Sequence, residues 1–333
     1  MSALLHPRAA LFGHEAARPA LPVVDHYCGV EARMRKSLAL QAELGPVFDI
    51  TLDAEDGAPV GGEAEHALLI AELATSAANR FGRVGARVHP VGHAAFEADV
   101  DTLIAKAGGR LAYLMIPKPD SADDVERAAT AIDAACDRHG QPKLPLQVLI
   151  ETHGALREVF RIAAHPRIES LSFGLMDFVS AHGGAIPKTA MELPGQFEHP
   201  LVVRAKLEIA AAAHAFGKVP SHCVVTEFRD SAALAAAARR AARDFGYTRM
   251  WSIHPDQIRP IVDAFAPAAD EIEEAAELLM AAQAQQWAPI SFRDRLHDRA
   301  SYRYFWTVLE RAERTGRTLP AEARRAFFTA AIG

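Results

Sequence analysis

The sequence predicts a TIM (β/α)8 barrel followed by an added C-terminal helical tail, and three observations carry the prediction. Eight short runs of β-type residues alternate with helical stretches between residues 21 and 255, and eight is the number that closes such a barrel. Several runs are almost continuously apolar, as suits parallel strands covered on both faces. A chain of 333 residues, 50% hydrophobic and 23% charged, can also bury a large core within the range of one α/β barrel with additions.

In order, the strand-like runs are LPVVDHYC (21–28), VFDITLDAED (47–56), RVGARVHPV (83–91), LAYLMIPK (111–118), LQVLIET (146–152), IESLSFGLMD (168–177), HCVVTEF (222–228) and RMWSIHP (249–255). Between them, SADDVERAATAIDAACDRHG opens on a Ser121 cap and closes at Gly140, and SAALAAAARRAARDFG runs from Ser231 to Gly246. The expected division is an N-terminal arm over 1–20, a catalytic barrel over 21–267 and a helical extension over 268–333. That extension opens with an amphipathic helix at 268–286, continues through a polar turn and ends in an Arg- and aromatic-rich helical stretch. Its Tyr302, Tyr304, Phe305 and Trp306 suit anchors for an oligomer contact, or else pack the tail within its own chain.

Composition narrows the partners. A net charge of −6 without a long Lys/Arg cluster argues against nucleic acid. The N-terminus is interrupted by His6, Pro7 and Arg8, and no stretch reaches the length of a spanning segment, so no membrane partner and a cytoplasmic location are expected. Cys28, Cys136 and Cys223 show no metal-binding spacing and read as buried small hydrophobes in a reduced compartment.

Function is expected where the strands end, because barrel active sites lie at that edge. Residues 146–184 read as a βαβ unit carrying Glu151 and Asp177 at the ends of adjacent parallel strands, within reach of one ion. Two hard oxygen ligands with room for water suit Mg²⁺, or Mn²⁺, better than zinc. From this pair alone, capping of the following helices accounts for the carboxylates equally well. The other strand ends add Asp25, His26, Tyr27, Asp53, Glu55, Asp56, Arg87, His89, Lys118, Glu227 and His254, more polar groups than capping requires. Arg87 suits a bidentate clamp on a small anionic substrate, with Asp53 and Glu55 beside it; a salt bridge to either acid suits it as well. Arg33, Arg35 and Lys36 suit either a solvated helix turn or phosphate contacts.

VFDITLDAEDGAP resembles the LDLEDAVP turn of the HpcH/HpaI aldolase and citrate lyase β-subunit family. RVHP is similar to its VRINP, LMIPKPDSADDV to its LPKVESAEDV, LIETHGAL to its IETARGV, FGLMD to its FGAED, and SIHPDQI to its AIHPSQI. The matches come in family order over residues 20–280. The resemblance implies a Mg²⁺-dependent carbon–carbon lyase acting on an acyl-CoA thioester such as malyl- or citryl-CoA. Glu151 and Asp177 match the metal ligands, and Arg87 the arginine that grips the keto acid's carboxylate or carbonyl oxygen. Asp298, in RLHDR, stands in register with an acid/base aspartate that reaches a neighbouring subunit in malyl-CoA lyase-like members. Homotrimers or homohexamers are implied.

The chain departs from the pattern at several points. LDAED lacks the second Leu, Asp120 and Met176 each stand where the family has Glu, THG replaces TARG or TPRG, and the first strand ends in DHY instead of an FVPG-like turn. Those rims leave the acyl group, and the use of CoA, open. The expected chemistry is a reversible Claisen-type cleavage and condensation. A class II pyruvate aldolase working without CoA, with His26, His89 or His254 as base, a malyl-CoA-type thioesterase and a non-catalytic scaffold are the alternatives.

Overall fold

The computed structural model describes residues 4–15 and 17–329. The chain forms two compact units, one over 18–265 and a smaller one built from the chain's two ends, up to residue 17 and from residue 266 onward.

The larger unit is a closed barrel of eight parallel strands in sequential order: β1 (Val24–Cys28), β2 (Phe48–Asp53), β3 (Val84–Arg87), β4 (Leu114–Ile116), β5 (Leu146–Ile150), β6 (Ile168–Phe173), β7 (Val219–His222) and β8 (Arg249–Ser252). β8 returns to pair with β1 through Val24 and Met250, which closes the sheet. Successive side chains point to opposite faces. Val24, Phe48, Ile50, Leu52, Val84, Ala86, Leu114, Val148 and Met250 accordingly join the aliphatic core shared with the surrounding helices.

The inward faces are polar to an extent the apolar runs do not announce. Low in the barrel, the fully buried Arg249 guanidinium lies 2.6 Å from Asp49 and 3.3 Å from Asp25. Thr51 donates to Asp25 at 2.7 Å, and the Tyr113 hydroxyl reaches both. Above this plug Met115, Leu149 and Trp251 form a small apolar cluster with Tyr27 and Val224 against it. Next along β2, β3 and β5 come Asp53, Arg87 and Glu151, at the edge where function was sought.

Two expectations need correction. The seventh strand is Val219–His222, three residues before the HCVVTEF run. Pro220 makes VPSH look unlike a strand, yet the strand survives because its carbonyl still accepts the Thr248 N–H. Similarly, β6 stops at Phe173, and Asp177 lies in the first turn of a short helix, Leu175–Ser180. The crossover from β5 to β6 is two short helices, His153–Arg157 and Val159–Ala164. The helix Ala122–His139 forms as expected, with Ser121 Oγ accepting the Asp124 N–H and Gly140 left-handed at its end. The helix Ser231–Asp244 also forms, with Asp230 as its cap. All three cysteines are buried and free.

In the smaller unit the arm forms a helix, Pro7–Phe12, and packs with the C-terminal segments, Leu11 joining a core with Leu279, Trp287, Tyr302, Trp306 and Phe327. Gln283 and Trp287 both donate to the Leu5 carbonyl. The polar turn is a two-stranded hairpin, β9 (Ile290–Phe292) and β10 (Arg295–His297). Of the four aromatics considered as anchors, Tyr302 and Trp306 are built into this core, whereas Tyr304 is 60% exposed. Among the described residues no helix is long and apolar enough to cross a membrane.

Candidate active site

Glu151 follows β5 directly and is 2% exposed. Its Oε1 accepts the backbone N–H of Lys118 at 2.9 Å. On the other side it meets Gly174, where any Cβ would collide with the carboxylate; only glycine leaves it room. Thr152 ties the same strand end to β4 by donating to the Pro119 carbonyl at 2.6 Å. Lys118, between Pro117 and Pro119, has φ +47°, a conformation that costs an ordinary residue on the order of 1–3 kcal/mol. That twist turns its N–H toward Glu151 while its ammonium meets Glu55 at 2.5 Å, Asp56 at 2.6 Å and Asp177 at 3.7 Å.

Arg87, at the end of β3, is clasped by β2. Its Nε donates to Asp53 Oδ1 at 2.6 Å and Nη2 to Asp53 Oδ2 at 2.9 Å, while Nη1 lies 3.1 Å from Glu55 Oε2. The salt bridge considered from the sequence therefore forms with both acids. Tyr27 adds its hydroxyl between the guanidinium and Asp53, and the Gly57 N–H donates to Asp53 from the turn beyond β2. Burial opposes the charge on Arg87, but Asp53 and Glu55 more than offset it and hold the guanidinium protonated beyond its ordinary value. Lys118 behaves likewise: burial works against it, and Asp56 and Glu55 outweigh burial.

Glu151 is the exception. Burial first, and the nearby Asp177 charge second, push its carboxyl up from 4.5 to about 8. Five carboxylates (Asp53, Glu55, Asp56, Glu151 and Asp177) thus share this edge with two cations. A buried carboxylate with a like charge beside it is stabilised by an added cation. Exposure differs between the pair, for the Asp177 side chain is 42% exposed and so faces the open side. Among the described residues no three His, Cys, Asp or Glu side chains are gathered as a metal site. A cation here would have two protein carboxylates, with solvent or substrate oxygens completing its shell, which fits Mg²⁺.

The chain belongs to the HpcH/HpaI aldolase/citrate lyase family. The family model matches residues 45–255, from just before β2 to just past β8. The chain is also 31% identical over 229 residues to the L-malyl-CoA/beta-methylmalyl-CoA lyase of Cereibacter sphaeroides strain ATCC 17029, covering 65% of this chain and 71% of that one. A crystal structure of a citrate lyase from Burkholderia xenovorans LB400 is 56% identical, with a TM-score of 0.84 over 98% of this chain and all of the other. The CitE protein of Mycobacterium tuberculosis, solved with magnesium, acetoacetate and coenzyme A, is 21% identical with a TM-score of 0.68 over 88% of this chain and 99% of the other; that likeness bears on the fold. With these relatives, the chain is a carbon–carbon lyase.

Of the residues singled out from the sequence, the barrel gathers Asp53, Glu55, Asp56, Arg87, Lys118, Glu151 and Asp177 on one edge. His26 turns outward to Ser252 and Phe48, and burial, then His254, pull its imidazole down to about 4. His89 is held by Asp99 at 2.6 Å. Arg35 pairs with Glu31 and Glu72. Asp298 caps the helix Arg299–Arg314 in the smaller unit, its Oδ1 accepting the N–H groups of Ala300 and Ser301. Trp251, beneath Tyr27, was not singled out; its sequence signal, an aromatic two residues beyond an inward Arg, shows only once the strand's faces are known.

Proposed function

We propose that the protein is a Mg²⁺-dependent lyase that cleaves or forms a 3-hydroxyacyl-CoA of malyl- or citryl-CoA type, with Mn²⁺ able to replace Mg²⁺. Glu151 and Asp177 would hold the cation, and the burial of the Glu151 carboxylate, 2% exposed, beside the open-facing Asp177 carboxylate is the observation that carries this reading. Bound there, the cation supplies Lewis-acid polarisation of the keto-acid oxygens.

The protein's own groups do the rest. In cleavage the C3 hydroxyl gives its proton to solvent water, C3 becomes a carbonyl, and the C2–C3 electron pair passes to the thioester α-carbon, which then takes a proton from the acid/base group. Arg87 faces the charge that grows on the C3 oxygen, held rigid by Asp53 and Glu55 so that little reorganisation accompanies the step. Lys118 fixes Glu151 through its backbone and keeps the acidic turn of β2 in place. Asp298 fits the proton donor and acceptor at the α-carbon, delivered by a neighbouring subunit of a homotrimer or homohexamer.

The test is melting of chelator-treated protein with Mg²⁺ and glyoxylate, oxaloacetate or pyruvate, with and without acetyl-CoA, since selective ligands raise the melting temperature by mass action. A metal-dependent keto-acid shift that grows with acetyl-CoA supports the reading. A shift with pyruvate that ignores acetyl-CoA replaces it with a CoA-independent aldolase.

A further inference from the structure

The Lys118 ammonium occupies the kind of position that a metal ion takes. Its Nζ donates to Glu55 Oε1 at 2.5 Å and to Asp56 Oδ2 at 2.6 Å, and it lies 3.7 Å from Asp177 Oδ1. Three carboxylates, two from the turn beyond β2 and one from the turn beyond β6, thus converge on one cationic atom, as hard oxygen ligands converge on Mg²⁺ or Mn²⁺. The backbone brings the ammonium there: Lys118 has φ +47°, and its N–H is given to Glu151 Oε1 at 2.9 Å. One residue therefore reaches both carboxylates read as metal ligands, Glu151 through its main chain and Asp177 through its side chain.

The balance of charge shows what this cation does. Asp53, Glu55, Asp56, Glu151 and Asp177, set against Arg87, Lys118 and one divalent ion, leave a single negative charge at the edge. Without Lys118, the same five carboxylates and Arg87 reach neutrality only with two divalent ions, and an uncompensated charge on the buried Glu55 is costly. A metal ion and an ammonium nevertheless differ in one respect. The ammonium has three donors and no open coordination position, so it neutralises the acids without offering the keto acid a second Lewis acid.

We propose that Lys118 is a tethered second cation, filling a divalent-ion site formed by Glu55, Asp56 and Asp177 and thereby fixing the enzyme at one metal ion per chain. This role rests on the metal-dependent reading above and deepens it, since Asp177 becomes a carboxylate shared between a tethered cation and an exchangeable one. Lys118 determines how many metals the edge accepts and hence that the substrate's oxygens meet a single Lewis acid. It is a specificity-determining residue for the metal, not a catalytic residue, because its ammonium is turned to carboxylates.

The test counts Mn²⁺ bound to chelator-stripped protein, by equilibrium dialysis and electron paramagnetic resonance, up to ~1 mM free metal, where weak oxygen-ligand sites fill. Wild type should hold one Mn²⁺ per chain. Lys118→Ala keeps the N–H that holds Glu151 and removes the ammonium, so it should hold two, with a resonance broadened by coupling because both ions ligate Asp177. Lys118→Arg, which restores a cation, should return the count to one, and so should Lys118→Ala combined with Asp56→Asn, which removes one wall of the cage. A merely structural salt bridge would lower the melting temperature of Lys118→Ala and leave the count unchanged, and that result would overturn the proposal. A wild-type count of two would overturn it with no variant at all. Wild type that binds no Mn²⁺ would sink the metal-dependent reading alone, because the gain of one ion between wild type and Lys118→Ala still decides the role of Lys118.

Discussion

Replacing Glu151 by Gln should make the metal-free protein more stable while abolishing its response to metal. The ionised carboxylate has been moved from 4.5 to about 8 by burial and by Asp177. At ~1.4 kcal/mol per tenfold, the charged folded form carries a cost of roughly 5 kcal/mol relative to the unfolded chain. The sign follows from linkage: a carboxyl whose folded pKa is raised contributes its full stability below pH 4.5 and loses it as pH climbs through about 8. The amide of the variant keeps an oxygen for the Lys118 N–H but cannot ionise. Wild type and variant should therefore melt alike near pH 5 and diverge up to pH 8. Allowing half of the cost for relaxation, the variant gains roughly 2–3 kcal/mol, or ~4–6 °C for a barrel of this size. Thermal melts from pH 5 to 9 after chelation, repeated with 10 mM Mg²⁺ (a concentration of about that order suffices for mass action), provide the assay. If the variant is no more stable than wild type at pH 8, or if Mg²⁺ still raises its melting temperature, Glu151 is neither desolvated in the way argued nor a metal ligand.

Three further outcomes follow from the same geometry. Gly174→Ala drives a Cβ into the Glu151 carboxylate, so it should lower metal affinity at least tenfold, measured by calorimetry, while circular dichroism shows the barrel intact; undiminished affinity would mean Glu151 can move freely. Lys206, fully buried against His222, Gln196 and the Phe197 ring, is held down at about 8 chiefly by burial. Wild-type stability should then rise from pH 8 to 10.5 and fall as pH drops through 8, and Lys206→Met should flatten that dependence in urea unfolding and gain up to roughly 3 kcal/mol at pH 7. Asp298→Asn should reduce kcat at least 100-fold, a typical general acid–base contribution, with keto-acid binding retained in melting assays; a variant with wild-type kcat would remove Asp298 from the chemistry.

The barrel was legible because strand and helix periods repeat eight times, and because caps such as Ser121 and Gly140 are local signals. Glu151 and Arg87 were legible for a related reason, as each lies at or one residue past the end of its strand. The seventh strand was not, since the hydropathy of Val219–His222 is broken by Pro220 and the richer run downstream is loop. Asp177 was singled out, but not its helical turn, because the apolar residues of β6 continue past Phe173 into Leu175 and Met176 with no Pro or polar cluster to mark the strand's end. The joining of the chain's ends depends on contacts such as Leu5 with Trp287, 282 residues apart, which no local window contains. Aromatics at 302–306 carry the same hydropathy whether they fill a core or meet a partner, and only packing separated Tyr302 and Trp306 from Tyr304.

The apolar cluster of Met115, Leu149 and Trp251 between the Arg249 plug and the site edge acts as an insulating slab. Water cannot polarise across such a layer as it does across a solvated floor, so charges at the mouth see one another through a medium of low permittivity. A replacement of Leu149 or Met115 by a polar residue would raise that permittivity and weaken the field the site residues share. The barrel interior is in this sense part of the electrostatics of the site edge.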